Sequence, residues 1–185
     1  HNVAHSFPTR RSSDLVYVAF DNQGTLSLAA DATHGNTYGG FALRGGSVHA
    51  SGSRATGTGL LWLIEGTHSF QSGAVVDVAE ARTFAGAQVV LAAGSSFMPG
   101  KFQMEGSGRV QVQAASTFAP GQFDMRGATL DLMAHSMALP DGSLLTSGTL
   151  VGTGTVTVRN AQIGNLYLRD AGTLRLAAGS NHAFS

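Results

Sequence analysis

Residues 102–120, FQMEGSGRVQVQAASTFAP, and residues 123–140, FDMRGATLDLMAHSMALP, are two copies of one pattern and align with a single gap. Both copies begin with Phe-x-Met, pass through glycine into an apolar-polar-apolar triplet, and end in Ala-Pro or Leu-Pro. Segments 69–84, 86–99 and 167–184 follow the same pattern in part. Self-similarity at a step of about 20 residues indicates a repeat protein in which each repeat is one structural unit.

The triplets predict short strands with one buried face. Apolar and polar residues alternate with period two, as in a strand whose successive side chains point to opposite faces. If the coils stack at the ~4.8 Å spacing of neighbouring strands, the flanking aliphatic residues form one buried column and the triplet centres one outward column. The predicted inward residues are Val76, Val78, Val110, Val112, Leu130, Leu132, Val156, Val158, Leu174 and Leu176. The predicted outward centres are Ser27, His49, Asp77, Val90, Gln111, Asp131, Thr157 and Arg175.

Two architectures accommodate short alternating strands at this spacing. A β-sandwich or barrel would need two-residue hairpin turns of the Asn-Gly or Asp-Gly type, and the chain has one such pair, at 141–142. A parallel solenoid repeats the whole coil, so that equivalent residues stack on themselves. The repeats therefore predict an all-β fold, a right-handed parallel β-helix with almost no helix and with regular coils over about 66–185. Segment 24–59 is rich in Gly, Ser and Thr, and we expect a protruding loop or a poorly formed coil there.

The C-terminal part of the chain carries a family resemblance. Residues 147–180, SGTLVGTGTVTVRNAQIGNLYLRDAGTLRLAAGS, resemble the passenger-associated repeats of bacterial autotransporters and related large secreted adhesins. The turn at 117–121, TFAPG, is similar to the Leu-Ala-Pro-Gly turn of those repeats, and the likeness extends over roughly 66–180.

The resemblance implies a structural and adhesive stalk segment of a surface or secreted protein. Its location would be extracellular, at the surface of a Gram-negative bacterium, with the parent protein attached to the outer membrane or secreted. Its partners would be host or surface glycans or proteins. The translocator barrel of that family is not among these residues, which leaves the secretion route open.

The first fifteen residues are set apart from the rest. Residues 5–15, HSFPTRRSSDL, resemble letter for letter the translation of a common short-read sequencing adapter, and residues 1–4 fit its upstream part. We therefore expect 1–15 to be a non-native segment without a coil partner, and 16–185 to be a β-solenoid fragment. The alternative is a natural polar N-terminal arm.

The charge balance argues against a nucleic-acid partner. The chain has eleven basic and eleven acidic residues, and without Arg10, Arg11 and Asp14 of the N-terminal segment these become nine and ten. A protein that binds nucleic acid carries a clear excess of clustered positive charge. We therefore predict no nucleic-acid partner.

Composition excludes several kinds of site. The chain has no cysteine, which rules out disulfides, thiolate metal sites and thiol nucleophiles. Charged residues make up 12% of the chain, about half of the average usage, so that Ser, Thr, Asn and Gln supply most of its polarity. The apolar runs, such as 60–64, are far short of the ~20 residues that cross a bilayer, and we predict no transmembrane segment.

The histidines and the glycine motifs predict neither a metal nor a cofactor. Five histidines beyond the N-terminal segment are dispersed without the close spacing of metal ligands, and we expect them to face solvent or to lie in turns. The Pro-Gly-Lys-Phe stretch at 99–102 lacks the glycine spacing, the hydroxyl residue and the following helix of a phosphate loop. The five histidines are His34, His49, His68, His135 and His182.

The aromatic residues are expected to belong to the core. Trp62 would fill the core or a coil edge rather than form a platform for carbohydrate. Six phenylalanines recur near the predicted coil corners, where stacking inside the solenoid explains them better than a ligand groove. They are Phe70, Phe84, Phe97, Phe102, Phe118 and Phe123.

One pair of carboxylates is a candidate catalytic site. Asp124 and Asp131 lie on neighbouring predicted strands, and β-helix enzymes that resemble pectinases and tailspikes place acidic pairs on one sheet face. A glycosidase needs its two carboxylates ~5 to 9.5 Å apart. The simpler interpretation is a solvated strand face that keeps the solenoid soluble, so we expect no enzyme. A polysaccharide-processing lyase or glycosidase remains the alternative.

A self-assembling fibre is a third class of function. The ends of a solenoid expose unpaired strand edges, and such edges are templates for pairing with another chain. We expect end-to-end self-association on this ground.

Overall fold

The chain folds as an all-β parallel solenoid of about seven turns. A computed structural model describes residues 15–16, 19–30 and 40–185. Within these residues the strands pair in parallel and no segment forms a helix, so none could cross a membrane as a helix. The parallel β-solenoid predicted from the repeats is confirmed.

The described residues form twenty-three short strands. In chain order they are β1 (Leu15–Val16), β2 (Phe20–Asn22), β3 (Thr25–Leu28), β4 (Phe41–Arg44), β5 (Ser47–His49), β6 (Arg54–Ile64), β7 (Thr67–Phe70), β8 (Val75–Phe84), β9 (Gln88–Leu91), β10 (Ser96–Phe97), β11 (Lys101–Glu105), β12 (Arg109–Val112), β13 (Thr117–Phe118), β14 (Phe123–Arg126), β15 (Thr129–Asp131), β16 (Met137–Ala138), β17 (Leu144–Thr146), β18 (Thr149–Val151), β19 (Thr155–Val158), β20 (Gln162–Gly164), β21 (Tyr167–Leu168), β22 (Thr173–Leu176) and β23 (Ala183–Phe184).

Each coil contributes strands to three faces. Face 1 runs through β1, β4, β6, β8, β11, β14, β17, β20 and β23, and face 2 through β2, β5, β7, β9, β12, β15, β18 and β21. Face 3 comprises β3, the first halves of β6 and β8, β10 and β13, and in later coils the separate sheet β16-β19-β22. The long strands β6 and β8 pass from face 3 into face 1, which joins these two faces in one sheet.

The coils are close to the predicted length. In face 2 the register joins Phe20 to Ser47 in the first step and Ser47 to His68 in the second, so one longer coil precedes the regular ones. At the other end the last step of this face joins Thr149 to Tyr167 and is somewhat shorter. Pairing already extends through β1 to β6, so the stack begins before residue 66, where regular coils were expected to start.

Segment 24–59, which was expected to be irregular, contains a close approach of two coils that requires glycine. The register of β6 shifts between Gly57 and Leu60. Gly57 has φ +125°, and a Cβ there would lie 2.1 Å from the carbonyl oxygen of Leu28. A side chain at this position would therefore collide with the backbone of the preceding coil.

The interior of the solenoid is mostly aliphatic and aromatic. Residues of one face that are partners in register stack in columns, such as Val89, Val110 and Leu130 of face 2. Five of the six phenylalanines expected in the core are buried, with ring centroids 4.9 to 6.0 Å apart in mostly edge-to-face contacts. The prediction is wrong for Phe84, which is 47% exposed at the end of β8.

The single column of triplets predicted from the sequence is wrong. The coils carry one alternating triplet in face 2 and another in face 3. The two kinds of triplet look alike in the sequence, so triplets of different faces were placed in one column. Asp77 and Arg175 lie in face 3, for example, whereas Gln111 and Asp131 lie in face 2. The predicted inward residues are nevertheless buried from Val76 to Val158, and Leu176 of the last described coil is 43% exposed.

Tight four-residue turns form several corners between the faces. The amide of the fourth residue donates to the carbonyl of the first, as Ser53 does to Ala50 at 3.0 Å and Ser116 to Gln113 at 3.2 Å. The third residue has a positive φ, +77° at Gly52 and +63° at Ala115. A small residue followed by serine, as in Gly52-Ser53 and Ala115-Ser116, is therefore the sequence signal of a corner.

The boundary of the N-terminal segment requires one correction. Leu15, assigned above to the non-native segment, is the first residue of β1 and pairs with Ala42 of β4. The expectation that residues 1–15 have no coil partner is therefore wrong for Leu15. Residues 1–14 are outside the described residues.

Candidate functional site

The two candidate catalytic carboxylates lie on different faces. Asp124 is on β14 of face 1, and Asp131 ends β15 of face 2, after the turn that contains Gly127. Asp131 lies on the predicted outer side of face 2, in register with Gln111 and beside the inward Leu130, but its side chain is covered and only 4% exposed. The pair therefore does not share one sheet face, which is the arrangement that suggested an acid pair.

Asp131 is held by two neighbours that explain its burial. One carboxylate oxygen accepts a hydrogen bond from the guanidinium Nη2 of Arg109, on the preceding coil. The other accepts from the backbone amide of Met133 at 2.9 Å. An ionised carboxylate that accepts charge-assisted and backbone hydrogen bonds fixes the local backbone, here the turn that follows β15. Its contacts are those of a structural residue.

Asp124 belongs to a polar array on the outer side of face 1. Its Oδ2 accepts from Nε2 of Gln103 at 3.1 Å and lies 3.9 Å from Nζ of Lys101 and 3.7 Å from Nη2 of Arg126. Two coils earlier, on β8, Nε of Arg82 donates to Oε1 of Glu80 at 2.7 Å. We call these residues and Trp62 the face 1 ladder: Trp62, Glu80, Arg82, Lys101, Gln103, Asp124 and Arg126.

The face 1 ladder follows directly from the register. Trp62, Arg82, Gln103 and Asp124 are successive partners across four strands, so that opposite or complementary groups meet at each step. Cross-strand pairs of this kind each contribute a few tenths of a kcal/mol to about 1 kcal/mol. The array offers hydrogen-bond donors and acceptors along one flat surface. Its cations and carboxylates alternate rather than converge.

Trp62 is not in the core, which corrects the expectation from sequence. Its neighbours Leu61 and Leu63 are buried inside the solenoid, so the alternation places Trp62 on the outer side of face 1. The guanidinium carbon of Arg82 lies 5.1 Å from the centre of its ring, within the range of a cation–π contact. The run LLWLI is apolar at every position, so the sequence offered no polar-apolar alternation from which to place Trp62.

Gln103 combines an outer position with burial. The side chain is 7% exposed between the neighbouring strands, and its Nε2 donates to Asp124. Its Oε1 is buried without a hydrogen-bond partner among the described residues. The orientation of the amide is fixed because the carboxylate of Asp124 can only accept.

Two histidines lie inside the solenoid, contrary to the expectation that they face solvent. His49 is 1% exposed in β5 and His68 is fully buried in β7. His49 was expected at an outward triplet centre, but Val48 takes the outward position and is 40% exposed. The pKa of each ring is lowered from 6.5 to about 4, mainly by burial and, for His49, also by the nearby His68.

The buried rings are surrounded by other polar side chains. Nδ1 of His68 lies 2.9 Å from Oγ of Ser47, and its Nε2 lies 3.0 Å from the carbonyl of Glu65. Nδ1 of His49 lies 3.3 Å from the amide nitrogen of Asn22, while its Nε2 is buried without a partner among the described residues. This polar interior was missed from the sequence because the inward positions of SVH and THSF carry Ser, His and Phe, whereas inward positions were identified by aliphatic residues.

The other histidines do not converge on a metal site. His135 and His182 are partly exposed, and Nδ1 of His182 accepts from the backbone amide of Ala161 at 3.2 Å. His34 lies outside the described residues. No group of three or more histidine, aspartate and glutamate side chains within 15–16, 19–30 and 40–185 is arranged to hold a metal ion.

Comparison of the chain with models of known families, with curated proteins and with solved structures gave no match.

Proposed function

We propose that the chain is a structural segment of an extracellular stalk in an autotransporter-like surface protein of a Gram-negative bacterium. The observation that carries the proposal is the unbroken parallel register of face 2 through eight strands, with a continuous buried core beneath it. A stack of this kind forms a rod that holds what lies at one end away from the other. It needs no chemical site in any one coil to do so. The Gly-Thr-Leu repeats of 147–180, similar to those of passenger domains, support the location.

Surface display tests the stalk proposal. The chain is placed between a secretion signal and an autotransporter translocator barrel in a Gram-negative host, and its exposure to external protease and antibody is measured. We expect display of a folded, protease-resistant segment. The matched control is Val110→Asp, which places a charge in the buried column and should yield a protease-sensitive segment. A parent that is displayed but as sensitive as the control would contradict the proposal.

Adhesion is the second part of the proposal, with the face 1 ladder as the contact surface for host or surface glycans or proteins. The ladder holds mostly half-buried donors and acceptors in fixed register, and such an array suits hydroxyl-rich or peptide ligands. The test compares binding of the parent and of Arg82→Ala to immobilised host matrix proteins and neutral glycans. The control is Asp77→Ala, an exposed change on face 3. Equal binding by all three proteins would contradict this role of the ladder.

The contacts of Asp124 and Asp131 favour a non-enzymatic segment over a polysaccharide-processing enzyme. Each carboxylate is engaged by cations or backbone donors, and the two lie on different faces. Incubation of the parent with neutral and acidic polysaccharides should release no reducing ends and no unsaturated products. Cleavage that is lost in Asp124→Ala with Asp131→Ala would establish the enzyme instead.

Self-association is favoured by one specific observation. The last described coils present large apolar side chains that are 43 to 68% exposed. A further coil of a longer chain, or a second copy of this one, would bury them and pair the strand edge. Sedimentation should show concentration-dependent association that Leu168→Asp abolishes, and a parent that stays monomeric would contradict it. The residues are Tyr167, Leu168, Leu176 and Phe184.

We infer an adapter origin for the N-terminal segment from its letter-for-letter resemblance. Removal of residues 1–14 should leave the free energy of unfolding unchanged within about 0.5 kcal/mol, the range of changes that touch no packed feature. Sequencing of the same gene from an independent library should show a different coding sequence in place of residues 1–15. Recovery of the same residues would contradict the adapter origin.

A further inference from the structure

The interior of face 2 is polar in its first described coils. In one column the successive inward residues are Phe20, Ser47, His68, Val89 and Val110, and in the adjacent column they are Asn22, His49, Phe70 and Leu91. Hydrogen-bonding side chains therefore occupy inward positions as far as His68, and the later coils of both columns are apolar. We call residues 41–70 (β4 to β7) the histidine coils and residues 109–158 (β12 to β19) the apolar coils.

The hydrogen bonds around His49 admit only a neutral ring. Its Nδ1 faces the amide nitrogen of Asn22, which can only donate, so Nδ1 must accept and carry no proton. Rotation of the Asn22 amide would not help, because its Oδ1 accepts from the amide of Gly24 and its Nδ2 also donates to the carbonyl of Arg54. A proton on Nδ1 would therefore break the contacts that join β5 to the preceding coil.

The ring of His49 also has no room to leave the interior while the coils stay stacked. It lies on the ring of Phe70 with centroids 4.3 Å apart and planes 15° from parallel, and the ring of Phe20 is 6.2 Å away. Its Nε2 is buried without a partner among the described residues, so a positive charge there would have neither solvent nor an acceptor.

At His68 burial, rather than a one-way hydrogen bond, disfavours the charged ring. The ring is fully buried, its Nε2 donates to the carbonyl of Glu65, and its Nδ1 lies 2.9 Å from Oγ of Ser47, a hydroxyl that can donate or accept. The next coil presents Val89 at the in-register position, which cannot solvate a cation. The side chain of Glu65 does not compensate the charge, since it pairs with Arg44 at 3.0 Å on the outside.

The groups near the two rings do not stabilise the protonated rings enough to offset the cost of burial. The carboxylate of Asp21, on the outer side of β2, raises the pKa of His49, but burial outweighs it and His68 opposes it. For His68 the carbonyls of Glu65 and Ile64 raise the pKa, and burial again outweighs them. Arg54, whose carbonyl accepts from Asn22, has its side chain exposed.

We propose that His49 and His68 make the histidine coils an acid-labile segment: protonation of either ring requires these coils to open, while the apolar coils stay stacked. Solenoid coils contact only their neighbours, so one end can open without the other. The opened coils would expose the strand edges and the aromatic interior of this end to a partner or to proteolysis. The stalk would in this way respond to an acidified environment.

The sign and size of the effect follow from linkage. Each ring has a pKa of about 4 in the folded chain and 6.5 when exposed. The open state therefore binds more protons as the pH falls below 6.5, and opening becomes more favourable until about pH 4, with no contribution above 6.5. At pH 5 the opening equilibrium of the histidine coils should rise about 30-fold for each histidine.

Hydrogen exchange of the whole chain at pH 7.5 and pH 5.0, corrected for intrinsic exchange rates, tests the proposal. We expect amide protection in 41–70 to fall at least about 30-fold in acid and protection in 109–158 to change less than about threefold. The variant His49→Phe with His68→Gln, which keeps stacking and the donor to Glu65 but does not titrate, should lose the difference. Unchanged protection in the parent, uniform loss along the chain, or acid loss that persists in the variant would each overturn the proposal.

A second measurement keeps the test decisive if the double variant does not fold. The imidazole Cε1–H resonances of His49 and His68 in the parent are followed by NMR from pH 7.5 to 4.5. They should keep neutral-ring shifts until the pH at which protection in 41–70 is lost. Titration of both rings near pH 6.5 with protection intact would overturn the proposal. His135, which is partly exposed, serves as the internal reference.

Discussion

The imidazole of His49 stacks on the ring of Phe70 at positions that are partners in the parallel register of β5 and β7. The same column continues with Leu91 and Val112, so that it changes from polar to aromatic to aliphatic over four coils. The backbone repeats while the side chains differ. Because the register determines which residues meet, the response of each coil to pH and to mutation depends on the residues at its inward positions.

Acid should lower the free energy of unfolding between about pH 6.5 and 4. The folded-state pKa of His49 and of His68 is lowered to about 4, so the unfolded chain takes up protons first and stability falls as the pH drops through this window. Urea unfolding at pH 7.5 and 5.0 should differ by about 2 kcal/mol for each histidine. The variant His49→Phe with His68→Gln should show a much smaller difference, and an equal difference in both proteins would refute the assignment.

Truncation of a core phenylalanine should be far more damaging than truncation of an outer one. Phe102 is fully buried and contacts the rings of Phe97, Phe118 and Phe123, so Phe102→Ala leaves a cavity that costs about 3–5 kcal/mol. Phe84→Ala, at a position 47% exposed, should cost less than about 1 kcal/mol. Chemical unfolding of the two variants measures both, and similar losses would mean that the faces are assigned wrongly.

The corner turns predict opposite effects of two small substitutions. Gly52 has φ +77° with open space around a Cβ, so Gly52→Ala should destabilise the fold by about 1 kcal/mol through backbone strain alone. Ala115 occupies the equivalent turn position with φ +63°, and Ala115→Gly should stabilise by up to about 1 kcal/mol. Thermal unfolding of both variants is the measurement. Two changes of the same sign would contradict this account of the corners.

Asp131 should behave as a structural acceptor. In Asp131→Ala the amide of Met133 and the guanidinium of Arg109 lose their acceptor, which should cost about 1–3 kcal/mol. Asp131→Asn keeps an oxygen for Met133 and should lose less. Asp77→Ala, on the exposed side of face 3, is the control and should lie within about 0.5 kcal/mol of the parent. An Asn variant as unstable as the Ala variant would argue against the hydrogen bond to Met133.

The sequence predicted the architecture because its signal is redundant. Alternation around Val110 and Leu130 and the repeat of Phe-x-Met each indicate stacked coils, and an error at one position does not disturb the others. It did not predict that each coil has two triplets on two faces, since periodicity defines the inward side of a strand but not the sheet to which the strand belongs. Asp77 and Asp131 were placed in one column for this reason.

The polar side chains were harder to place than the apolar ones. His49 and His68 point inward because they are in register with the inward residues Phe70 and Val89. An imidazole ring that makes hydrogen bonds is tolerated at such a position. Trp62 is outward because its neighbours on both sides take the inward positions. Hydrophobicity alone would have predicted the reverse in each case. The face 1 ladder depends on contacts between successive coils, which become visible only when the register is known.

Disulfide formation between adjacent coils tests the central claim, the parallel register, most directly. Val90 and Gln111 are partners on the outer side of face 2, and the chain has no cysteine of its own. Strands ~4.8 Å apart place their Cα atoms within the range of a disulfide, so Val90→Cys with Gln111→Cys should crosslink under mild oxidation of the folded protein. Val90→Cys with Val151→Cys, three coils apart, should not. Failure of the first pair to crosslink, or equal crosslinking of both pairs, would contradict the solenoid described here.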